Sequence, residues 1–157
     1  MRIVFLQDTA VNESLALTEV SAVLKNAGHT TRLYLGDEEP ELEALLRDYD
    51  PDLAIIPCHV AGHLVALGFA DLIKQVKPRC VVALGGTHVT FDPGLAKHPS
   101  VDVTCVGEAE GPFLDLANAL ERGDGWEGIG NLCYEEEGNL VENPLRPLIQ
   151  DLSLIHI

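Results

Sequence analysis

The stretch VVALGGTHVTFDP, Val81–Pro93, decides the fold class because its character changes abruptly at two glycines. Val81–Leu84 is a run of strand-forming apolar residues, as expected of a strand buried on both faces. Gly85 and Gly86 end that run, and the small polar segment THVT follows. Paired glycines at the end of a strand favour either a tight turn or the close approach of another group to the backbone.

The same strand pattern recurs along the chain, and each strand-like run is followed by a segment with helical periodicity. Strands are predicted at Arg2–Leu6, Thr30–Leu35, Leu53–Pro57, Cys80–Leu84 and Val101–Val106. Helices are predicted at Ser14–Ala27, from Pro40 onward, at His63–Val76 and at Pro112–Arg122, with a short helical turn at Pro93–Lys97. This alternation implies right-handed crossovers and a parallel sheet covered on both faces. We therefore predict an α/β protein with a flavodoxin-like, doubly wound, five-stranded parallel sheet.

The character of the chain changes again after Gly123. The segment NLCYEEEGNLVENP indicates a β-hairpin that turns near Gly138 and Asn139, outside the five-unit core. The proline-rich segment PLRPLIQDL that follows is typical of a linker toward another element. We expect an α/β domain over residues 1–123, the hairpin and linker over 124–152, and a non-native tail over 153–157.

Composition excludes several classes of function. The 25 acidic and 10 basic residues give a formal net charge of -15, which repels phosphate backbones and argues against nucleic-acid binding. No apolar run approaches the roughly 20 residues of a membrane-spanning helix, and the segment MRIVFLQD lacks the features of a signal peptide, so we expect a cytoplasmic protein without a membrane partner. The four scattered cysteines form no CxxC pair, and Cys80 and Cys105 are expected to be small buried apolar residues.

A functional site is expected beyond the carboxyl ends of the predicted strands, where ligands bind in open parallel sheets. Four segments meet at that edge: Gln7–Asn12, Pro57–His63, Gly85–Phe91 and Gly107–Gly111. A phosphoacceptor site is excluded, because Pro57 and Cys58 replace its aspartate and Gly107 replaces its lysine. The chain has neither the GxGxxG motif of dinucleotide-binding folds nor a Walker loop. An FMN site stays an alternative, because the segment QDTAVNES carries hydroxyl groups of the kind that bind a flavin phosphate.

The spacing of three potential metal ligands raises the possibility of a metal site. Cys58, His59 and His63 are clustered, and residues four apart share a face of a helix. Gly62 lies between the two histidines at a predicted helix start, and no matching CxxC is present. Histidines that bind loop backbone groups therefore explain this cluster better than a dedicated zinc site.

Three segments in one order carry a family resemblance: GGTHVTFDP, HPSVDVTCVGEAEGPFLDLANAL and GIGNLCYEEEGNLVENPLRPLIQDL. Together they resemble the N-terminal cobalamin-binding domain of cobalamin-dependent radical-SAM proteins, over nearly the whole chain from Arg2 to about Leu152. That family typically shows a GG-x-H loop after the fourth strand and a V-x-G-E-x-E loop after the fifth. A hairpin with the pattern G-L-x-Y…G…N-x-x-R-P then follows.

The resemblance implies a cobalamin site in the loops at the strand carboxyl ends. The residues implied in cofactor binding are Gln7, Asp8, Thr9, Cys58, His59, Val60, Gly85, Gly86, Thr87, His88, Gly107 and Glu108. Gly85 and Gly86 would then admit the nucleotide tail of the cofactor, although a plain tight turn explains them equally well from residues alone. The D-x-H-x-x-G motif of methionine-synthase-type domains is absent. The resemblance implies that the lower face of cobalt is either left unligated or covered by a residue of a nearby loop, and His59 after the third strand is the candidate ligand.

The resemblance also implies a longer parent protein. The CxxxCxxC motif of the radical-SAM half cannot be formed by these four cysteines. An iron–sulfur cluster and S-adenosylmethionine are therefore expected only in a missing radical-SAM domain, and this chain alone is not expected to be an enzyme. The intact protein would use the cobalamin in methyl transfer. The alternatives are a module that binds another nucleotide-type ligand such as FMN, and a cofactor-free scaffold.

Overall fold

A computed structural model describes residues 1–9, 14–36 and 41–148. Its strands are β1 (Arg2–Gln7), β2 (Thr30–Leu35), β3 (Leu53–Pro57), β4 (Val81–Gly85), β5 (Val103–Cys105), β6 (Leu132–Glu136) and β7 (Asn139–Glu142). Its helices are α1 (Leu15–Asn26), α2 (Leu42–Tyr49), α3 (His63–Val76), α4 (Thr87–Phe91) and α5 (Glu110–Arg122), with a 3₁₀ helix at Pro93–Lys97.

All seven strands form one sheet in the order β2-β1-β3-β4-β5-β6-β7. The first five are parallel, which confirms the predicted doubly wound core. The hairpin β6-β7 is also confirmed, but it extends the same sheet because β6 pairs antiparallel with β5, with Cys105 opposite Leu132. The sheet therefore has seven strands where the core prediction gave five.

The two faces of the sheet are both buried, as the apolar strand runs predict. Val4 and Leu6 of β1 pack on the face covered by α2 and α3. Ile3 and Phe5, which alternate with them, pack on the face covered by α1 and α5. Each such side chain contributes about 1.5–3 kcal/mol of transfer free energy when fully buried.

Helix α1 shows how local sequence sets its ends. The Oγ of Ser14 accepts a hydrogen bond from the N–H of Leu17 at 3.4 Å, so Ser14 is the N-cap. At the other end Gly28 has φ +92°, its N–H donates to Lys25 O, and the N–H of His29 donates to Leu24 O. This is a Schellman motif, and it requires a residue that tolerates a positive φ.

Several predicted boundaries are corrected by the structure. β4 is displaced by one residue to Val81–Gly85, and β5 shortens to Val103–Cys105. α5 begins two residues earlier than predicted, at Glu110. Pro40, the segment 10–12 and the predicted tail 153–157 lie outside the described residues.

Helix α4 is not predicted from the sequence, because THVT is a small polar segment without helical periodicity. Its first turn is fixed by a tertiary hydrogen bond from the N–H of His88 to Cys58 O at 3.1 Å. Within the described segments, no helix is long and apolar enough to cross a membrane.

Candidate functional site

The carboxyl ends of the parallel strands bring four loops together. These loops follow β1 at Asp8, β3 at Cys58, β4 at Gly86 and β5 at Val106. β1 and β3 are parallel neighbours, with β2 beside β1 and β4 beside β3. The order in which strands are added to the sheet therefore reverses between β1 and β3, and such a point leaves a crevice between the helices that follow them. This edge carries the predicted site residues.

The loops after β3 and β4 are joined through their backbones. The N–H of Cys58 donates to Gly85 O at 2.7 Å, and the N–H of His88 donates to Cys58 O at 3.1 Å. The first bond joins the end of β4 to the residue after β3, and the second joins the two loops. The predicted site residues Cys58, Gly85 and His88, with Gly86 between the latter two, thus form one hydrogen-bonded junction.

Both glycines of this junction have a packing reason of their own. A Cβ on Gly85 would lie 3.2 Å from the ring of Phe113, and a Cβ on Gly86 would lie 2.9 Å from Cys58 O. Gly86 also has φ +121°, which residues with a side chain rarely adopt. The close approach inferred from the sequence is therefore made by the protein's own backbone and by Phe113, and tail access at these glycines stays a prediction.

Thr90 of α4 links this junction to the loop after β5. Its Oγ1 donates to Gly86 O at 3.0 Å and accepts from the N–H of Gly107 at 3.1 Å. Sequence reasoning missed this residue because the segment was not recognised as helical. The signal was the spacing, since a threonine four residues after Gly86 in a helix can bond that carbonyl.

Imidazole rings cluster on the same surface. The rings of His63 and His88 stack with their centroids 4.6 Å apart and an interplanar angle of 24°. The Nδ1 of His63 lies 2.8 Å from Val60 O, so in the neutral ring Nδ1 donates and Nε2 keeps its lone pair. The His63–His88 stack was not predicted, although both residues had been noted.

His59, the candidate cobalt ligand, is exposed at the start of the same loop. Its ring lies against Gly62, where an added Cβ would be 3.3 Å from His59 Cδ2. His59 and Asp8 line one small crevice between β1, β3 and α3. The structure therefore brings together the predicted residues of the β1 and β3 loops.

Large apolar side chains stand exposed around these loops. Phe91 is 86% exposed, Leu64 72% and Val60 64%. Of these three, only Val60 was predicted as a site residue. Exposed apolar side chains beside polar loop groups are typical of a binding surface, and they fit the flat, largely apolar face of a macrocycle.

The remaining predicted residues occupy the same edge with different contacts. The side chain of Gln7 is buried and its amide donates to Thr9 O, and Asp8 and Thr87 are exposed. After β5, Gly107 has φ +79° and Glu108 O accepts a weak bond from Cys105 Sγ at 3.8 Å.

The carboxylate of Glu110 lies in the first turn of α5. Its Oε2 is buried, and no hydrogen-bond partner for it lies in the described parts of the chain. Partial burial raises the pKa of Glu19 on α1, and the Glu110 carboxylate and a hydrogen bond to it raise that pKa further. The two side chains therefore meet between α1 and α5.

The cysteines are buried free thiols, as expected of Cys80 and Cys105. Burial raises the pKa of Cys58 to about 11 and that of Cys105 to about 12, so neither is a ready thiolate. Among residues 1–9, 14–36 and 41–148, no three His, Cys, Asp or Glu side chains are placed to hold a metal ion.

A comparison with protein families decides the ligand class. The B12 binding domain matches residues 1–117 of this chain. The chain belongs to the B12-binding domain family. The prediction of cobalamin as the cofactor is thereby confirmed, and the exposed apolar surface at the carboxyl edge fits such a ligand.

Curated relatives are similar over parts of the chain. An uncharacterized methyltransferase of Pyrococcus horikoshii is 34% identical over 119 residues, which are 74% of this chain and 26% of that protein. The cobalamin-dependent radical SAM methyltransferase TokK of Streptomyces tokunonensis is 38% identical over 69 residues, which are 43% of this chain and 10% of that protein. The chain therefore spans about a quarter or less of the length of these relatives.

Solved structures show the same fold. The cobalamin-dependent S-adenosylmethionine radical enzyme OxsB, with aqua-cobalamin bound, superposes with a TM-score of 0.78 at 17% identity over 94% of this chain and 22% of its own. The methyltransferase TsrM from Kitasatospora setae, with cobalamin and a [4Fe-4S] cluster bound, superposes with a TM-score of 0.75 at 16% identity over 96% of this chain and 30% of its own.

Proposed function

We propose that this chain is the cobalamin-carrying module of a methyltransferase, and that a radical-SAM domain lies elsewhere in the same longer polypeptide. The family match to residues 1–117 carries this proposal. Two relatives named methyltransferases support the reaction class, and the small share of their length that the chain spans supports a larger parent protein. An iron–sulfur cluster and S-adenosylmethionine would belong to that other domain.

The cofactor is proposed to lie across the carboxyl edge of the sheet. Twelve residues are proposed to contact it: Gln7, Asp8, Thr9, Cys58, His59, Val60, Gly85, Gly86, Thr87, His88, Gly107 and Glu108. We add Phe91 and Leu64 to this proposal, because their exposed side chains would cover the apolar face of the macrocycle. When bound, cobalamin would supply a cobalt centre that accepts and releases a methyl group.

The residues of the edge would orient the cofactor and shield it from water. The joined loops after β3 and β4 provide a rigid base, because their backbones are hydrogen-bonded to each other. The hydroxyl of Thr87 and exposed loop N–H groups would meet the amide side chains of the macrocycle. Phe91, Leu64 and Val60 would exclude water from its face.

His59 is proposed as the residue that would bind the cobalt. His63 is engaged at Nδ1 by Val60 O and on its ring face by His88. His59 is exposed, and no hydrogen bond to its ring is found within the described residues. Of these two imidazoles, His59 is therefore the one that can turn toward a ligand without breaking a hydrogen bond.

The module is proposed to work in the cytoplasm. All four cysteines are free thiols although they are buried in a well-packed core, and thiols persist in reducing compartments.

The cofactor assignment is tested by a retention experiment on the full chain. The chain is incubated separately with hydroxocobalamin, with cobinamide, which lacks the nucleotide tail, and with FMN. It is then desalted, and its visible spectrum is recorded. We expect about one equivalent of cobalamin to be retained and less cobinamide, because the tail adds buried contacts. Retention of FMN without any corrinoid, or a colourless chain, would overturn the assignment.

The methyl-transfer part is tested on the longer protein. Gly86→Ala in that protein should abolish substrate methylation while cleavage of S-adenosylmethionine continues. Loss of both activities in a folded variant would contradict a division of labour between two domains.

A further inference from the structure

Asn131 occupies an unusual position between the loop after β5 and the start of the hairpin. It is only 5% exposed and has φ +72°, a conformation that costs most residues with a side chain about 1–2 kcal/mol. Asparagine tolerates it better than other such residues. All four of its polar groups are bonded, two to Val106 and two to the segment Pro144–Arg146.

The first pair of bonds fixes the loop after β5. The side-chain Nδ2 of Asn131 donates to Val106 O at 2.7 Å, and the N–H of Val106 donates to Asn131 O at 2.9 Å. Both polar groups of Val106 are thus held by one residue. This sets the peptide plane that follows, and the N–H of Gly107 points to Thr90 Oγ1 at 3.1 Å.

The second pair of bonds fixes the segment after β7. The N–H of Arg146 donates to Asn131 Oδ1 at 2.7 Å, and the N–H of Asn131 donates to Pro144 O at 3.1 Å. The guanidinium of Arg146 also pairs with Asp115 on α5 at 2.7 Å.

Glycines make room for this segment. A Cβ on Gly130 would lie 3.0 Å from Pro144 O, and one on Gly111 would lie 3.1 Å from Arg146 Nη1. The segment therefore follows a fixed path along the start of α5.

We propose that Asn131 is a positioning residue for the cofactor, which holds the Val106–Glu108 loop in its binding orientation and couples that loop to the Pro144–Arg146 segment. The inference rests on the proposed placement of cobalamin against Gly107 and Glu108. Its physical basis is that one buried amide group serves both segments, so that movement of either changes the bonding of the other.

The chemistry explains why the residue is an asparagine. An aspartate has no N–H to offer Val106 O, although it keeps an acceptor for Arg146. A glycine accepts the positive φ but offers neither side-chain bond. The variants Asn131→Asp and Asn131→Gly therefore remove one and both of the side-chain bonds.

The test compares these variants with Asn143→Ala in the full chain. Asn143 is a matched control, because its Nδ2 binds Glu127 O at 2.6 Å and Ile129 O at 2.8 Å but does not touch Val106. Amide exchange is measured at Gly107 and Arg146 without ligand, and cobalamin affinity is measured well below the unfolding temperature. Retention of cobalamin by the wild-type chain tests the proposed function separately, since the amide-exchange measurements need no cofactor.

We expect Asn131→Asp to weaken cobalamin affinity about tenfold or more and to speed exchange at Gly107, while exchange at Arg146 stays slow. Asn131→Gly should speed exchange at both sites, and Asn143→Ala should leave affinity unchanged. Acidification should restore affinity to Asn131→Asp relative to wild type, because a protonated carboxyl can donate to Val106 O.

Unchanged affinity in both folded Asn131 variants would overturn the proposal. An equal loss of affinity in Asn143→Ala would also overturn it. That result would show that Asn131 affects binding only through its general contribution to stability. If Asn131→Asp does not fold, the exchange and affinity of Asn131→Gly decide the same question.

Discussion

The two edges of the sheet are built from different chemistry. At the amino edge, charges are paired with each other: Asp50 accepts from Arg2 at 2.8 Å and from Lys77 at 2.6 Å, and Lys74 pairs with Asp102 at 2.6 Å. At the carboxyl edge, the prominent groups are backbone amides, imidazoles and exposed apolar side chains such as Phe91. At the amino edge the charged groups bind one another, whereas at the carboxyl edge apolar side chains stay exposed to solvent.

A cavity at the amino edge has a volume of about 840 Å³ and is lined by Asp50, Asp52 and Lys77 among others. Those side chains already bind one another or the backbone, as Asp52 does when it accepts from the N–H of Arg2 at 2.8 Å. At the carboxyl edge, by contrast, the exposed apolar groups would gain from being covered.

Gly86→Ala is expected to have the largest effect of the substitutions at the carboxyl edge. The new Cβ would lie 2.9 Å from Cys58 O at a φ of +121°, so the β3-β4 junction must open. We expect a loss of about 2–4 kcal/mol in the free energy of unfolding, measured by denaturant titration.

Gly68→Ala is the matched control for Gly86→Ala. It lies in α3 with no atom within 4 Å of an added Cβ, and it should gain about 0.5–1 kcal/mol. Equal stability of the two variants would show that the junction is not rigid.

A second prediction separates binding from stability at the carboxyl edge. Phe91→Thr should weaken cobalamin binding about tenfold with little change in unfolding free energy, because the ring is 86% exposed and contributes little to the core. The control is Leu33→Thr on the edge strand β2, which should leave affinity unchanged. The affinity for cobalamin is measured by spectral titration, and the unfolding free energy is measured by denaturant titration. A loss of stability without a loss of affinity would refute the role of Phe91.

A third prediction concerns the two histidines of the β3-α3 loop. His59→Ala should change the visible bands of bound cobalamin, whereas His63→Ala should leave the band positions unchanged, because His63 stays bound to Val60 O and stacked on His88. A change of the bands in His63→Ala alone would assign cobalt binding to His63. Unchanged bands in both variants would exclude both histidines as cobalt ligands.

A fourth prediction concerns the pH dependence of stability at Glu19 and at Asp50. Partial burial and Glu110 raise the pKa of Glu19 above its ordinary 4.5. Ionised Glu19 therefore lowers the free energy of unfolding above the raised pKa, and this loss disappears at low pH, where the carboxyl is protonated. Glu19→Gln should therefore raise the melting temperature by about 1–3 °C at neutral pH and by nothing near pH 4.

Asp50 at the amino edge should behave in the opposite way. Hydrogen bonds from Lys77 and Arg2 lower its pKa below the ordinary 3.8, so its contribution is present above that value and is lost as pH falls through the lowered pKa. Asp50→Asn should lower the melting temperature slightly at neutral pH. Melting curves in which both substitutions shift stability in the same direction at neutral pH would contradict the assigned contacts.

The sequence predicted the sheet well because its strands are buried on both faces. A strand such as β3, LAIIP, must be apolar throughout, and such runs are recognisable without a structure. Gly123, with φ +71°, likewise marks the end of α5 where it was predicted. The edge that carries the site followed from this topology.

The details of the site could not be read in the same way. α4 has five residues with weak helix propensity and depends on the tertiary bond from His88 to Cys58. The Thr90 bridge, the His63–His88 stack and the four bonds of Asn131 each join segments distant in sequence, so no local pattern reports them. The paired glycines were recognised, but their packing against Phe113 and Cys58 was not.

Hydrogen exchange of the full chain with and without hydroxocobalamin, resolved by peptide, tests most directly where the cofactor binds. We expect slower exchange in peptides that cover Cys58–Gly62, Gly86–Phe91 and Val106–Glu108, and unchanged exchange in peptides that cover Asp50–Asp52 and Lys77–Cys80. Protection of the amino-edge peptides, with no change at the carboxyl edge, would contradict the claim that the carboxyl edge receives the cofactor.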